Sequence, residues 1–445
     1  MENKELLSQL IAGHKYAALS NMLKVLEPAD IALLLQDHER DKMIVVYRLL
    51  PKELAAEAFV YMDTDAQQSL IEAFSDWELT QVLSELFLDD TVDIVEEMPA
   101  SLVKRILISS NPQMRAAINQ VLKYPKDSAG SIMTIEYVNL KKDMTVSQAF
   151  ERIRRTGIDK ETIYTCYVTD ENRHLIGVIS AKTLLLSSPE EKIGDIMEQN
   201  IISVGTMDDR ESAALLFSKY GFMALPVVDG ENRLVGIITV DDALAVLQQE
   251  NTEDISKMGA VSPLEQTYFR TSAAKHAQNR ILWLLLLMLS STLSGLIITR
   301  YERAFIAFPL LISFIPMLMG TGGNCGSQSS TMVIRGLALG EITFRDFFRV
   351  IWKELRVALM VGVVIALVNG VRILLMYNDI GIALVTGITL MVVAVLAKLL
   401  GGMLPMLAKK LRLDPAIMAS PIITTIVDAC AVFFYFNIAI WILGI

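Results

Sequence analysis

The apolar run from Ala416 to Leu443 contains a single carboxylate, Asp428. A charge at membrane depth costs about 2.5–3.5 kcal/mol on insertion scales, so it reads as lining a water-filled path. On a helix, Thr424 lies one turn before Asp428 on the same face, with Thr425 and Pro421 close by. Pro421 lacks a backbone donor and is expected to open nearby carbonyls toward a cavity. Carboxylate, hydroxyls and carbonyls are hard oxygen ligands, suited to Mg²⁺, Ca²⁺ or Mn²⁺ and poorly to thiolate-loving metals. The competing reading pairs Asp428 with an intramembrane base, Lys398 or Arg372. Both bases fall near predicted span ends, where long side chains snorkel to water.

A second segment, Pro316-Met-Leu-Met-Gly-Thr-Gly-Gly-Asn-Cys-Gly-Ser-Gln, carries four glycines between Gly320 and Gly326. They predict a helix broken or loosened at membrane depth, with its backbone facing protein or water. Asn324 and Gln328 are four apart, on one face, and can hydrogen-bond the water shell of an ion. Small-residue helix packing is the alternative, and it leaves Asn324, Ser327 and Gln328 without a purpose.

Charge divides the chain. Residues 1–275 hold 43 acids and 27 bases, a net of −16; residues 276–445 hold seven acids and 13 bases, a net of +6. An acidic soluble half argues against nucleic acid and for cations as partners. Cys166, Cys325 and Cys430 form no pairing pattern, so no disulfide framework is expected, which suits a cytosolic soluble half. The first 25 residues lack an apolar signal core, so no cleaved secretory signal is expected.

Four kinds of element must position these residues. Residues 1–128 read as an acidic helical solenoid, because Leu26-Glu-Pro, Leu50-Pro-Lys-Glu-Leu, Phe74-Ser-Asp-Trp-Glu-Leu and Met98-Pro-Ala-Ser-Leu recur every 24 residues. Each opens a short helix that could not bury its apolar face alone. Residues 129–248 hold two β-α-β-β-α units, about 129–187 and 195–248. Their openings are Ile132-Met-Thr and Ile196-Met-Glu, and their last strands are Leu175-Ile-Gly-Val-Ile-Ser and Leu234-Val-Gly-Ile-Ile-Thr. This order resembles a tandem CBS pair. Residues 249–279 read as a connecting, or plug, helix, and residues 280–445 as a five-helix transmembrane domain. The spans fall at about 281–299, 304–334, 356–377, 380–404 and 416–443, each long enough for ~30 Å of hydrocarbon. Arg345, Arg349, Lys353, Lys409, Lys410 and Arg412 fall in loops on the side of the N-terminal half, as the positive-inside bias requires. Arg300 and Arg303 run against it. The C-terminus is then outside.

The fold class is thus a multidomain membrane protein: α-helical solenoid, α/β tandem CBS pair and all-α transmembrane domain. The two pore-like motifs and this order of parts resemble the MgtE family of magnesium channels over essentially the whole chain. The resemblance implies a homodimer in the cell membrane, its pore on the two-fold axis and lined by the second and fifth spans. Asp428 would face its symmetry mate, with Asn324, Gln328, Ser420, Thr424 and Thr425 as further liners. Mg²⁺ dehydrates reluctantly, so such a ring would bind it through its waters.

The acidic half then becomes a Mg²⁺ sensor. Its candidates are Asp89, Asp90 and Asp93, then Asp209, Glu211 and Asp242, then Glu250, Glu253 and Asp254. Mutual repulsion would hold the pore open when cytosolic Mg²⁺ is low, and bound Mg²⁺ would close it. CBS pairs also bind adenosine nucleotides. The ribose pattern appears as Gly236, Thr239 and Asp242, with ATP the expected occupant; the first unit has Gly177, Ser180 and Thr183, with Thr where Asp is expected. An enzyme is disfavoured, since His14, His38, His174 and His276 all lie outside the spans and no H-E-x-x-H occurs. No Walker A lysine loop supports a pump. The remaining alternative is a divalent-cation secondary transporter for Mg²⁺, Mn²⁺ or Co²⁺, coupled to H⁺ or Na⁺.

Overall fold

Proline and small polar residues set the helix starts of the N-terminal region. The computed structural model describes residues 7, 9–11, 13–263, 268–269, 271–301 and 308–444, with the side chain of Ser420 excepted. Helices Pro28–Gln36, Lys52–Val60, Asp76–Leu83 and Ala100–Ser109 begin 24 residues apart, and so do Arg40–Tyr47, Thr64–Ala73, Leu88–Glu97 and Pro112–Val121. The repeat that predicts one helix per unit is therefore a helix pair. Ser75 and Glu78 form a reciprocal capping box, and the Asp63 and Asn111 side chains cap the helices that follow them. Each first helix packs on the first helix of the next unit, and each second helix on the next second one. Leu35, Phe59, Leu70, Leu79, Val92 and Ile106 bury their side chains between them.

Two three-stranded sheets follow. In the first, β1 (Tyr137–Leu140) runs parallel to β2 (Thr162–Thr169), which pairs antiparallel with β3 (Leu175–Ser180). β4 (Val204–Gly205), β5 (Ala224–Val228) and β6 (Leu234–Thr239) repeat that order. The segment entering one unit seals the last strand of the other: Thr134 exchanges backbone hydrogen bonds with Ile237, and Glu198 with Val178. This explains the glycine in each last strand. A Cβ at Gly236 would lie 2.8 Å from the Met133 sulfur, and one at Gly177 would overlap the Met197 side chain.

The chain divides into two compact units, Met1–Leu247 and Gln248–Ile445. A single helix, Val240–Met258, runs through the boundary. The connecting segment is not one helix: a second begins at Ala273, capped by Ser272, and residues 264–267 and 270 lie outside the described set.

Among the described residues of the second unit, four helical segments are long and apolar enough to cross a bilayer: Ala273–Arg300, Phe344–Tyr377, Ile380–Lys410 and Pro415–Leu443. The glycine-rich helix, Ile315–Ala338, is not one of these four; it follows a 3₁₀ stretch, Pro309–Phe314. It is continuous through all four glycines, contrary to the predicted break. Each glycine costs a helix about 1 kcal/mol, but an opened backbone in lipid costs several per unsatisfied group. Close packing offsets the rest. A Cβ at Gly322 would lie 2.6 Å from a Val393 methyl, one at Gly323 2.9 Å from Thr424 Cγ2, and one at Gly326 2.5 Å from Ile423 Cγ2.

Candidate functional site

The helix that carries Asp428 spans Ser420–Leu443, so Pro421 stands in its first turn and starts it rather than kinking it. The Pro421 carbonyl is not freed, because the Thr425 hydroxyl donates to it at 2.9 Å. Thr424 lies against Gly323, so the two segments singled out by their residue types meet along one helix contact. Asp428 is half-buried, and no described group hydrogen-bonds its inner oxygen Oδ1. Neither base offered as its partner is engaged with it. Arg372 donates to Asn369 Oδ1 at 2.8 Å and to the Met317 sulfur, while Lys398 donates to Ser329 Oγ at 3.4 Å. Lys398 does not snorkel. It is 4% exposed, twelve residues before the end of its helix.

On the glycine-rich helix, Gly322, Gly323, Cys325 and Gly326 are buried, whereas Pro316, Gly320, Asn324, Gln328, Thr331 and Arg335 are exposed. Their spacing of three or four makes one stripe of small or polar residues, edged by the exposed Met332. The exposed residues of Phe347–Tyr377 differ in kind: Leu359, Met360, Val363, Val364, Leu367 and Val371 suit lipid. Ser420 begins the Asp428 helix, but its side chain lies outside the described set.

In the first unit, Asp89, Asp90, Asp93 and Asp242 come together, joined by Glu161, Glu136 and Asp241, which sequence spacing does not link to them. Burial, reinforced by Asp242, pushes Asp90 and Asp93 up to about 7; burial, reinforced by Asp90, pushes Glu161 up to about 8. Burial holds Asp89 well above the usual carboxylate range and raises Asp242 to about 6. Burial and like charge both favour the neutral acid. Yet among the described residues no three His, Cys, Asp or Glu side chains converge tightly enough to hold a metal ion. Asp209 is a helix cap, accepting from Ser212 N at 2.9 Å, and Glu211 sits in the first turn of that helix. Neither is among the acids that raise this cluster.

The second unit has its own acids near the end of the long helix. Lys257 donates to Asp414 Oδ2 at 2.5 Å and also pairs with Glu253. Burial, with Asp414, Glu250 and Glu253 nearby, raises Asp254 to about 6.

Gly236, Thr239 and Asp242 do lie together, with Thr239 Oγ1 donating to Asp242 Oδ2 at 2.6 Å. Asp242 is committed to the acidic cluster, however. None of the three lines the 480 Å³ cleft of the CBS pair. That cleft is walled by Thr165, Tyr167, Ser180, Thr183, Phe222 and Pro226. The fully buried Tyr167 hydroxyl has no described hydrogen-bond partner there.

Comparison with known proteins follows the same division. Residues 26–127 match the MgtE intracellular N domain, residues 129–190 and 193–249 the CBS domain, and residues 315–438 a family described as divalent cation transporter. The chain is 35% identical over 429 residues to the magnesium transporter MgtE of Thermus thermophilus, covering 95% of this chain and 94% of that one. Identity to the Bacillus subtilis magnesium transporter MgtE is 30% over 430 residues, covering 97% and 95%. A crystal structure of the cytosolic domain of the Mg²⁺ channel MgtE in complex with ATP matches 54% of this chain and 98% of its own, at TM-score 0.52 and 36% identity. The relatives are named as transporters, and none of these three as an enzyme. This chain belongs to the MgtE family of magnesium transporters.

Proposed function

We propose that the chain is a Mg²⁺-selective channel of the cell membrane, working as a homodimer whose path runs along the two-fold axis. The observation that carries this reading is the exposed polar stripe through Asn324 and Gln328 on a helix packed against the Asp428 helix. In lipid such a stripe would forfeit its hydrogen bonds; against water and a second copy it keeps them. The glycine-rich helix then serves as a fifth span, beside the four apolar ones. Asp428 and its symmetry mate supply two carboxylates, and Asn324, Gln328, Ser420, Thr424 and Thr425 bind through the waters that Mg²⁺ retains.

The helix-pair stacking supports a solenoid in residues 1–128, followed by the CBS pair at 129–248, the connector at 249–279 and the pore domain at 280–445. The N-terminal half is cytosolic and the C-terminus outside. Asp89, Asp90, Asp93 and Asp242, with Glu161, sense cytosolic Mg²⁺: the ion relieves their repulsion, compacts the cytosolic region and closes the pore. Glu250, Glu253 and Asp254 add a second sensing point on the connector, and Asp209 and Glu211 a minor one. The cleft at Ser180 and Thr183, rather than the Asp242 side, has room for an adenosine nucleotide. The ATP held by the related cytosolic domain supports ATP as its modulator.

Divalent-cation flux into vesicles tests the reading. Wild type should carry Mg²⁺ down its own gradient and shut as cytosolic Mg²⁺ rises, while Asp428→Ala should carry almost none. Flux that requires a proton or Na⁺ gradient would replace the channel with a coupled transporter of Mg²⁺, Mn²⁺ or Co²⁺.

A further inference from the structure

Three helices of the second unit meet at a polar bridge whose hydroxyl and ammonium are buried and whose carboxylate is half-buried. From the glycine-rich helix, the Ser329 hydroxyl donates to Glu354 Oε2 of Phe347–Tyr377 at 2.5 Å. From Ile380–Lys410, the Lys398 ammonium donates to the same hydroxyl at 3.4 Å. Ser329 is 2% exposed and Lys398 4%. One turn beyond Lys398, two glycines make the junction possible. A Cβ at Gly401 would overlap the Gly326 carbonyl oxygen and lie 3.0 Å from Ser329 Cβ, and one at Gly402 would lie 3.2 Å from Glu354 Cγ. Next to Ser329, the Ser330 hydroxyl donates to the Met418 carbonyl at 3.1 Å, tying the same turn to the segment before the Asp428 helix.

We infer that Lys398 and Glu354, joined through Ser329, are positioning residues for the ion path: they fix the rotation of the glycine-rich helix and so aim Asn324 and Gln328. The buried ammonium alone costs several kcal/mol and the half-buried carboxylate less, and removing one strands the other. The pair is therefore held as a unit, and the hydroxyl between them is held with it. Ser329 follows Gln328 directly. A helix turns about 100° per residue, so any rotation that moved Gln328 off its face would drag Ser329 out of the bridge. The packing glycines fix how closely the helices approach; the charge pair fixes which way the helix faces. This rests on the reading that the glycine-rich helix lines the path.

The test uses the full-length protein in liposomes, comparing Lys398→Met, Glu354→Gln, the double neutral variant and Ser329→Ala. Two readouts are followed: the Mg²⁺-over-Ca²⁺ flux ratio, and modification of Asn324→Cys by a charged, water-soluble thiol reagent, with native cysteines alone as blank. Each single change should lower both by about tenfold, and the double neutral variant should recover both to within about threefold. Singles that leave both readouts unchanged, or a double variant as damaged as the singles, would overturn the proposal. If the singles do not fold, Lys398→Arg and Glu354→Asp keep both charges and shift the bridge. A changed ion ratio with maximal flux retained then supports positioning, and an unchanged ratio overturns it. Asn324→Cys that does not react in an otherwise wild-type chain instead sinks the lining of the path itself, a separate failure.

Discussion

Carboxylates are used in opposite ways at the acidic cluster of the first unit and at the apolar helix Ser420–Leu443 of the second. In the first, Asp89, Asp90, Asp93, Glu161 and Asp242 crowd one another, and each is raised by burial and by like charge. In the second, Asp428 has no like neighbour among the described residues, and one of its oxygens is unpartnered there. A crowd of acids stores repulsion that a cation can discharge, so its natural output is a change of shape. A solitary acid stores none. Its output is local attraction, and in the proposed homodimer a second copy of the chain would supply the charge to match a divalent ion. Sensing and admitting the same ion therefore call for different arrangements of one chemical group.

The most severe way to break the contrast is to remove the solitary acid. Asp428→Ala should cut Mg²⁺ flux by about 100-fold or more, while Mg²⁺ still protects the cytosolic region from trypsin. Loss of that protection would mean the two acidic sites are not separable. Next, changing Asp89, Asp90, Asp93 and Asp242 to Asn and Glu161 to Gln removes the repulsion that holds the pore open, so Mg²⁺-free flux should fall by about tenfold and what remains should no longer respond to cytosolic Mg²⁺. Unaltered inhibition in that variant would remove the cluster from sensing.

Acidity sharpens the same point. The cluster acids titrate higher folded than unfolded, so the folded state binds more protons between the ordinary carboxylate range and about 8. Stability without metal should therefore be greatest at the acid end of that window and fall as pH rises through 6 to 8. Protons and Mg²⁺ compete, so half-inhibitory Mg²⁺ should fall about tenfold from pH 6 to pH 8. A flat profile in patch currents would contradict the burial of these acids.

The membrane unit invites a smaller comparison. Gly401→Ala, whose Cβ meets the Gly326 carbonyl, should destabilise the detergent-solubilised protein by about 1–3 kcal/mol, whereas Gly320→Ala, with nothing within 4 Å, should be neutral or stabilising. Smallest of all, Thr425→Val removes a proposed liner whose hydroxyl proton is already donated to the Pro421 carbonyl, leaving it least to offer the ion's waters. The substitution should change flux by less than about threefold.

Much of this was readable from residue types. The 24-residue period and the paired β-α-β-β-α units both survive, because each is a local pattern whose packing follows from its spacing. What escaped was tertiary. Glu161 stands just ahead of β2 with no acidic run to mark it, and only the fold carries it to Asp90. Gly320–Gly326 reads as a break because glycine weakens helices in water; the partners that fill its grooves, Val393, Ile423 and Thr424, lie 71 to 101 residues beyond the glycines they meet. Lys398 looks like a span-end lysine until Ser329 and Glu354 close around it. Asp242 fits a ribose pattern, yet the acids of a distant helix claim it.

The glycine contacts and the exposure pattern divide one helix into a back that tolerates no added atom and an exposed front on which Gly320 has open space. Gly322, Gly323 and Gly326 leave no volume for a methyl group, while Gly320 leaves all of it. Anyone redesigning ion preference thus has a short alphabet of usable positions: Gly320, Asn324, Gln328 and Thr331. Libraries confined to that edge would vary the proposed lining without disturbing the scaffold, and those that stray to the other edge would mostly sample chains that never assemble.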